Sequence, residues 1–380
     1  MTGCPLVRTI LAVLLPVSVL ALIHAVGGCG GEETRVEPFP DRLSLAPADS
    51  IGEELGDSVY TFGFLIDACT GPSGEVLALD QAQASLRAFG RDGEFLGYVA
   101  RRGEGPGELG MPMFVASLGD SLVMVMDPMK GGHVVWDRDY SLLDEIALWP
   151  QNPPMFMWGL DGAAFLAFRI EAGVEEGGIY MDRMIGRYEL GEADPEVVYW
   201  QDRVDVDPTS LTRVISDIFF FACFAADPEG ERVFVAPFST SDYGIHCYDR
   251  EGNLLYTISQ LVPRAPKDDA EMLDEEIFYE SYLNRLGAQG VVIDWEPDPY
   301  RYMISALGVD CFGRLWVVRG TEHAPVLDVY DMEGRHLFSC VLPRESRSWT
   351  VSPEPEAILA FEEDPLSGYQ KLYIIEYPAP

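Results

Sequence analysis

The sequence predicts an all-β chain: a six-bladed β-propeller of four-stranded antiparallel blades, with one small helical insertion. Three observations carry this. Short apolar runs rich in Val, Leu, Ile, Phe and Trp recur along most of the 380 residues, and such runs bounded by turn residues read as buried strands. Asp-Gly and Glu-Gly pairs return at the same place in successive segments, as Arg91-Asp92-Gly93-Glu94, Arg250-Glu251-Gly252-Asn253 and Met332-Glu333-Gly334-Arg335, and supply hairpin turn geometry. The clearest units lie about 40 to 50 residues apart in the first part, the length of a four-stranded blade.

The chain opens with one early cation, Arg8, and an apolar run from Ile10 to Val26 that ends in small residues. That is the build of an export signal, and Pro16 and His24 set it against a retained span. Val26-Gly27-Gly28-Cys29 resembles a bacterial lipobox, which implies lipidation at Cys29. Gly30 after the cysteine is similar to the pattern that permits transfer to the outer membrane. Residues 1–28 are therefore expected to be a lipoprotein signal peptide and residues 29–41 a polar tether. The propeller is expected over residues 42–380, with its insertion around 260–303.

The first blade is read in Phe64 to Val99 and the second in Met113 to Ile146. A weaker third copy covers "MWGLDGAAFLAFRI" and "DRMIGRYELGEADPEVVYW". The fourth runs from Cys223 to Ile258, the fifth from Ser305 to Val341, and "SWTVSPEPEAILAFEEDPLSGYQKLYIIEY" makes the last. Whether "RVEPFPDRLSLAP" adds a strand to the last blade is left open by the pattern. The segment Phe64 to Asp127 resembles NHL-repeat propellers. "GEGPGEL", followed by Pro112 and "DSLVMVMD", is similar to a linker and inner strands of bacterial six-bladed propeller lipoproteins. The resemblance implies that this glycine-rich stretch joins the outer strand of one blade to the inner strand of the next.

Two stretches break the spacing, "QDRVDVDPTSLTRVISDIFFF" and the region from Val262 to Tyr302. Met272, Leu273, Ile277, Tyr279, Leu283 and Leu286 fall at near-helical intervals in the second, predicting a surface helix from Asp268 to Leu286 that caps an edge or flanks the channel mouth.

Lys and Arg number 26 against 62 Asp and Glu, a formal charge of −36. Such a surface repels phosphate backbones and anionic headgroups, so nucleic acid is excluded as a partner and membrane contact is expected through the lipid anchor only. Removing Cys4 and Cys29 leaves Cys69, Cys223, Cys247, Cys311 and Cys340, an odd number without C-x-x-C spacing, which implies neither a disulfide framework nor a zinc site. No calcium-loop, P-loop, Rossmann or G-x-S-x-G pattern occurs. His133 and His323 fall near the starts of third strands in different blades, whereas His246 and His336 do not converge. Asp67, Asp161, Asp227 and Asp310 read as turn aspartates that bond their own backbone.

No catalytic or metal-ligating set is predicted. The ligand candidates are Trp158 and Trp295, read as lying outside regular strands, and Arg101 with Arg102, placed either to bind an anion or to neutralise Glu104 and Glu108. Trp136 and Trp316 are assigned to packing between sheets. The expected function is an envelope-anchored, non-enzymatic module, facing the periplasm or on the outer membrane, that binds a peptide, glycan or envelope protein. No cofactor is expected. The rival is a metal-dependent hydrolase or lyase of the NHL and gluconolactonase-like propeller type, which would use a divalent cation.

Overall fold

The computed structural model describes residues 43–148, 153–175, 178–206, 221–273, 275–277, 298–320, 325–342, 350–363 and 368–379. The chain folds as six antiparallel sheets that form the blades of a propeller. Blade one is β3 (Leu65–Thr70), β4 (Val76–Asp80), β5 (Ser85–Phe89) and β6 (Phe95–Ala100). Blade two is β7 (Phe114–Leu118), β8 (Leu122–Asp127), β9 (Gly132–Asp137) and β10 (Leu142–Ala147). Blade three is β11 (Met155–Gly159), β12 (Ala164–Glu175), β13 (Gly178–Glu189) and β14 (Val197–Val206). Blade four is β15 (Ala222–Ala226), β16 (Val233–Pro237), β17 (Tyr243–Tyr248) and β18 (Leu254–Gln260). Blade five is β19 (Ile304–Val309), β20 (Leu315–Arg319), β21 (Val326–Tyr330) and β22 (His336–Val341).

Blade six is composite. β23 (Thr350–Pro353), β24 (Ile358–Glu363) and β25 (Gln370–Ile375) come from the end of the chain, and β2 (Asp49–Ile51) from its beginning. The closing strand thus lies just beyond "RVEPFPDRLSLAP". Within that stretch, β1 (Leu43–Ser44) pairs in parallel with β22 instead, as a fifth strand on blade five. A three-residue Asp-Ser-Ile strand carries too little pattern to announce itself; its register is set by the partner, Asp49 opposite Ile374 and Ile51 opposite Leu372.

Burial follows strand position. β4, β5, β20 and β21 are buried at every residue, whereas the outer strand β10 is exposed at all positions but one. A middle strand covered on both faces reads as a continuous apolar run, and a rim strand does not. Because successive side chains point to opposite faces, each middle strand feeds two cores. Leu77 and Leu79 pack against Val123, Val125 and Trp136 of blade two, while Val76 and Ala78 pack against Leu359, Leu372 and Ile374 of blade six. The other seams are filled alike: two to three by Met124 and Phe165, three to four by Phe168 and Val235, four to five by Phe234 and Leu307, five to six by Trp316 and Ile358. Trp136 and Trp316 are inter-sheet packing residues, as expected.

The turns between third and fourth strands form as predicted. Gly93, Gly252 and Gly334 have φ of 76°, 87° and 79°, where a side chain is strained. Asp249 and Asp331 accept the N–H of Asn253 and Arg335, each at 2.8 Å.

Charge is also buried. Arg87 Nη2 meets Asp80 Oδ2 at 2.6 Å with both side chains 0% exposed, and Arg319 meets Asp328 at 2.6 Å in blade five. The polarity is reversed between the two: the acid ends the second strand in blade one, and the base ends it in blade five. Asp80 also accepts the N–H of Gly63, Phe64 and Gln83 at 2.7, 3.1 and 2.9 Å, and Arg87 donates to Val59 O and Thr61 O. The pair therefore moors the approach to β3. Arg87→Leu strands Asp80 without its cation and is expected to cost about 3–5 kcal/mol in a urea melt. Arg91→Ala, which removes an exposed pair with Glu356, is expected to cost at most about 1 kcal/mol.

Candidate binding face and axial channel

In each blade the chain runs from the innermost strand outward. One end of the ring therefore collects the turns between first and second and between third and fourth strands; the opposite end collects the second-to-third connections and the blade-to-blade linkers. The described ends of both departures from regular spacing, the end of β14 and the start of the segment after β18, belong to the second, or linker, face.

Blade three is enlarged on that face. β12 pairs with β13 from Ala164 opposite Glu189 to Glu175 opposite Gly178, but β11 covers β12 only as far as Phe168. Residues beyond Arg169 form a ribbon with β13 and β14, and at about 3.4 Å per residue it reaches about 20 Å past the blade. Gln201–Val206, expected to open an insertion, is the end of β14; its closely spaced charges obscure the strand pattern. On the ribbon the Arg203 guanidinium lies 3.9 Å from the Tyr180 ring centroid and pairs with Asp182 at 2.6 Å and Glu175 at 3.1 Å. Residues 207–220 lie outside the described residues.

The second departure begins as predicted. Asp268 caps a helix, its carboxylate accepting the N–H of Ala270 and Glu271 while Glu271 accepts the N–H of Asp268, a reciprocal capping box. Residues 269–273 and 275–277 are helical, and the expected continuation to Leu286 lies outside the described residues. Arg301 clamps Glu271 at 2.6 Å, tying the helix start to the strand approach.

The linker from β6 to β7 answers for its glycines and glutamates. Arg102 bridges to Leu109, with Leu109 N–H on Arg101 O and Gly103 N–H on Leu109 O, so the loop closes on itself and Leu109 is fully buried. Glu108 accepts the N–H of Gly105 at 2.8 Å. Lys130 Nζ reaches Gly105 O at 2.8 Å and Glu145 at 3.0 Å. Asp127 takes the N–H of Gly110 at 2.7 Å and of Met111 at 3.1 Å, as Asp80 does before β3. Neither Arg101 nor Arg102 pairs with Glu104 or Glu108: Arg101 stacks 3.8 Å from the Tyr98 ring centroid, and Arg102 Nη2 donates to Ala82 O at 2.6 Å. The glutamate neutralisation considered for them is thus replaced by a ring contact and a carbonyl.

Arg102 stands in a cleft of about 670 Å³ whose walls include Phe64, Gln81, Met111, Met129 and Gln370. These come from the approach to β3, the β4–β5 turn, the linker, the turn at Pro128–Lys130 and the start of β25, all on the linker face.

Trp158 is corrected: it lies within β11, packs against the seam between blades three and four, and donates its indole N–H to Ala226 O at 3.1 Å. Cys29 and Trp295 lie outside the described residues, as does His323. His133 is buried, edge-on to Phe165 at 5.7 Å, and burial pushes its pKa down to about 4. Among the described residues no three His, Cys, Asp or Glu side chains gather closely enough to hold a metal ion.

The turn-aspartate reading holds for Asp227 and Asp310, which accept N–H groups of Glu231 and Arg314. For Asp67 the turn part fails, since it sits inside β3 at a register shift, although its carboxylate does accept the N–H of the next residue, Ala68, at 2.9 Å. Its carboxylate accepts the N–H of Val115 on β7 at 2.9 Å. Glu354, just past β23, takes the Ser352 hydroxyl at 2.8 Å and feels the charge of Asp67 on β3. Asp67 stitches the inner edges of blades one and two, where edge strands otherwise leave N–H groups unmatched, and Glu354 of blade six lies close enough for the two charges to interact. Both keep a partial opening to the channel although protein surrounds them. Burial raises Asp67 to about 7 against its backbone N–H donors; burial, with the charge of Asp67 added, raises Glu354 to about 8. A lone acid in the apolar run Leu-Ile-Asp-Ala-Cys was the signal available in sequence.

The chain matches no protein-family profile, and no curated protein sequence matches it. Among solved structures it is similar to a protein from Bacteroides fragilis named as exported, with 12% identity over 89% of this chain and 99% of that one and a TM-score of 0.48. A gluconolactonase from Xanthomonas campestris is similar at 12% identity, covering 90% of this chain and 99% of that one, with a TM-score of 0.41. A calcium-binding regucalcin from Agrobacterium tumefaciens stands at 12% identity, 88% and 97% coverage, and a TM-score of 0.41. The six-bladed architecture rests on the six sheets themselves.

The channel acids carry a pH dependence. In the unfolded chain they titrate near 3.8 and 4.5, and in the folded chain near 7 and 8. Their contribution to stability is complete below the lower pair and is lost as pH rises through the upper pair. The thermal unfolding midpoint is expected to fall progressively from about pH 4 to about pH 8 and to level off above that. Asp67→Asn combined with Glu354→Gln should flatten that fall, whereas a slope unchanged in the double variant would assign it to the general negative charge.

Proposed function

We propose that this protein is a non-enzymatic binding module, held at a bacterial cell envelope through lipid on Cys29, that engages a peptide, glycan or protein partner on its linker face. One observation carries the reading: the ribbon of blade three, the capped helix at Asp268 and the cleft at Arg102 all belong to the same end of the ring, while the opposite end keeps short turns. Loops mounted on a rigid frame are where binding residues concentrate, and the seams make this frame rigid. The lipobox-like Val26-Gly27-Gly28-Cys29 supports the anchor, and no helix among the described residues is long and apolar enough to cross a membrane.

Metabolic labelling with palmitate is expected to follow the wild-type chain and to be lost in Cys29→Ser; a freely released, unlabelled wild type would remove the anchor. For the face, a photo-crosslinking residue placed at Val174 or Arg264 is expected to trap a partner in cells, and one placed at Leu96 or Leu255 near the opposite turns is not. Equal trapping from both sets would overturn the assignment of the face.

A further inference from the structure

We infer that the cleft at Arg102 is an anion subsite that takes a carboxylate attached to an aliphatic body. The inference rests on the reading of the linker face as the binding face and specifies what it holds.

Acidic residues make up 62 of 380 in this chain, yet among the described residues the cleft walls carry one arginine and no Asp or Glu. Asp80 and Asp127, which hold the N–H groups of the wall residues Gly63, Phe64, Gly110 and Met111, are fully buried. Asp80 is neutralised by Arg87, and Asp127 is saturated by the N–H groups of Gly110, Met111 and Met129. Arg102 itself is exposed and makes no ion pair among the described residues. One of its N–H groups is given to Ala82 O, which orients the guanidinium and leaves its other donors for a ligand. Its backbone is held by the bridge to the buried Leu109, so the cation is positioned before anything binds, and little ordering cost remains.

Much of the rest of the cleft is apolar and adaptable, with Gln81 and Gln370 adding amide groups. Met111 is 43% and Met129 72% exposed, and both line it with Phe64. Exposed methionines form pliable surfaces for aliphatic groups, while a planar guanidinium matches a carboxylate with paired hydrogen bonds. A single cation suits a monoanion; a phosphate dianion would enter the field of a −36 chain with half its charge unmatched. The volume of about 670 Å³ is that of an ordinary small-ligand site. A free aliphatic acid and the C-terminal residue of a peptide present the same chemistry.

The test is calorimetric titration of the full mature chain with octanoate, with octanol, with acetyl-Leu-Leu bearing a free carboxylate, and with its C-terminal amide. At least one acid is expected to bind, each at least tenfold tighter than its uncharged partner. Binding of octanoate alone assigns a free acid, and binding of the peptide acid alone assigns a chain terminus. Arg102→Gln should abolish the preference for the acid, Arg102→Lys should keep part of it, and Arg101→Gln should leave it unchanged. Met129→Glu should weaken the acid at least tenfold in a chain whose melting temperature is unaltered. No binding of either acid, equal binding of acid and uncharged partner, or an unchanged preference in Arg102→Gln overturns the subsite. Crosslinks from Val174 and Arg264 without acid binding would sink the subsite and leave the face standing; acid binding without those crosslinks would do the reverse.

Discussion

Every blade of this protein is greasy on both faces, and that single fact organises the molecule. β4 sends Leu77 and Leu79 to one neighbour and Val76 and Ala78 to the other, so no blade satisfies its own strands. Each sheet needs a sheet on either side, and the row of sheets has no stable end until it closes. Closure falls to blade six, where three strands from the end of the chain meet Asp49–Ile51 from its beginning. The two ends of the fold are thereby held in one sheet, and Ile51 is as buried as any middle-strand residue.

A ring built this way leaves its inner strands as edges. Asp67 and Glu354 occupy that inner edge at the junction of blades six, one and two, Asp67 accepting the N–H of Val115 and Glu354 the Ser352 hydroxyl. Asp67 does for the channel what Asp80 and Asp127 do for the linkers: a buried carboxylate collects N–H groups that the sheet cannot reach. Asp80 and Asp127 have rich donor sets, and Asp80 has a cation besides. Asp67 and Glu354 have fewer donors, and burial moves them towards neutral pH.

Because every blade runs in the same sense, additions made between blades gather at one end. The long ribbon of blade three, the capped helix before blade five and the loop that displays Arg102 share that end, and the loop reaches into the seam between blades one and two only through Leu109. The linker from Arg101 to Met113 divides its tasks residue by residue: Leu109 plugs the core, Asp127 holds Gly110 and Met111, and Arg102 is left facing solvent on a braced backbone.

Much of this was legible in the residues alone. Alternating and continuous apolar runs, with Asp and Glu before Gly at hairpins, determine strands, turns and blade number because these depend on neighbours along the chain. The helix start at Asp268 was legible for the same reason, since a cap is a contact between close neighbours in sequence. Long-range contacts decided the remainder. Trp158 reads as a loop tryptophan until β12 is seen beside it; Asp67 reads as a turn acid until Val115 of the next blade supplies its donor; Arg101 and Arg102 read as partners of Glu104 and Glu108 until Tyr98 and Ala82 take them. The closing strand at Asp49–Ile51 is defined wholly by β25, at the far end of the chain. Sequence by itself determined which segments are strands and how many sheets they make, because local periodicity and turn geometry suffice for that. Only the tertiary structure decided which strand closes the ring, which acids face the axis and which arginine stays open, because each is settled by groups that the chain brings together only when the ring is complete.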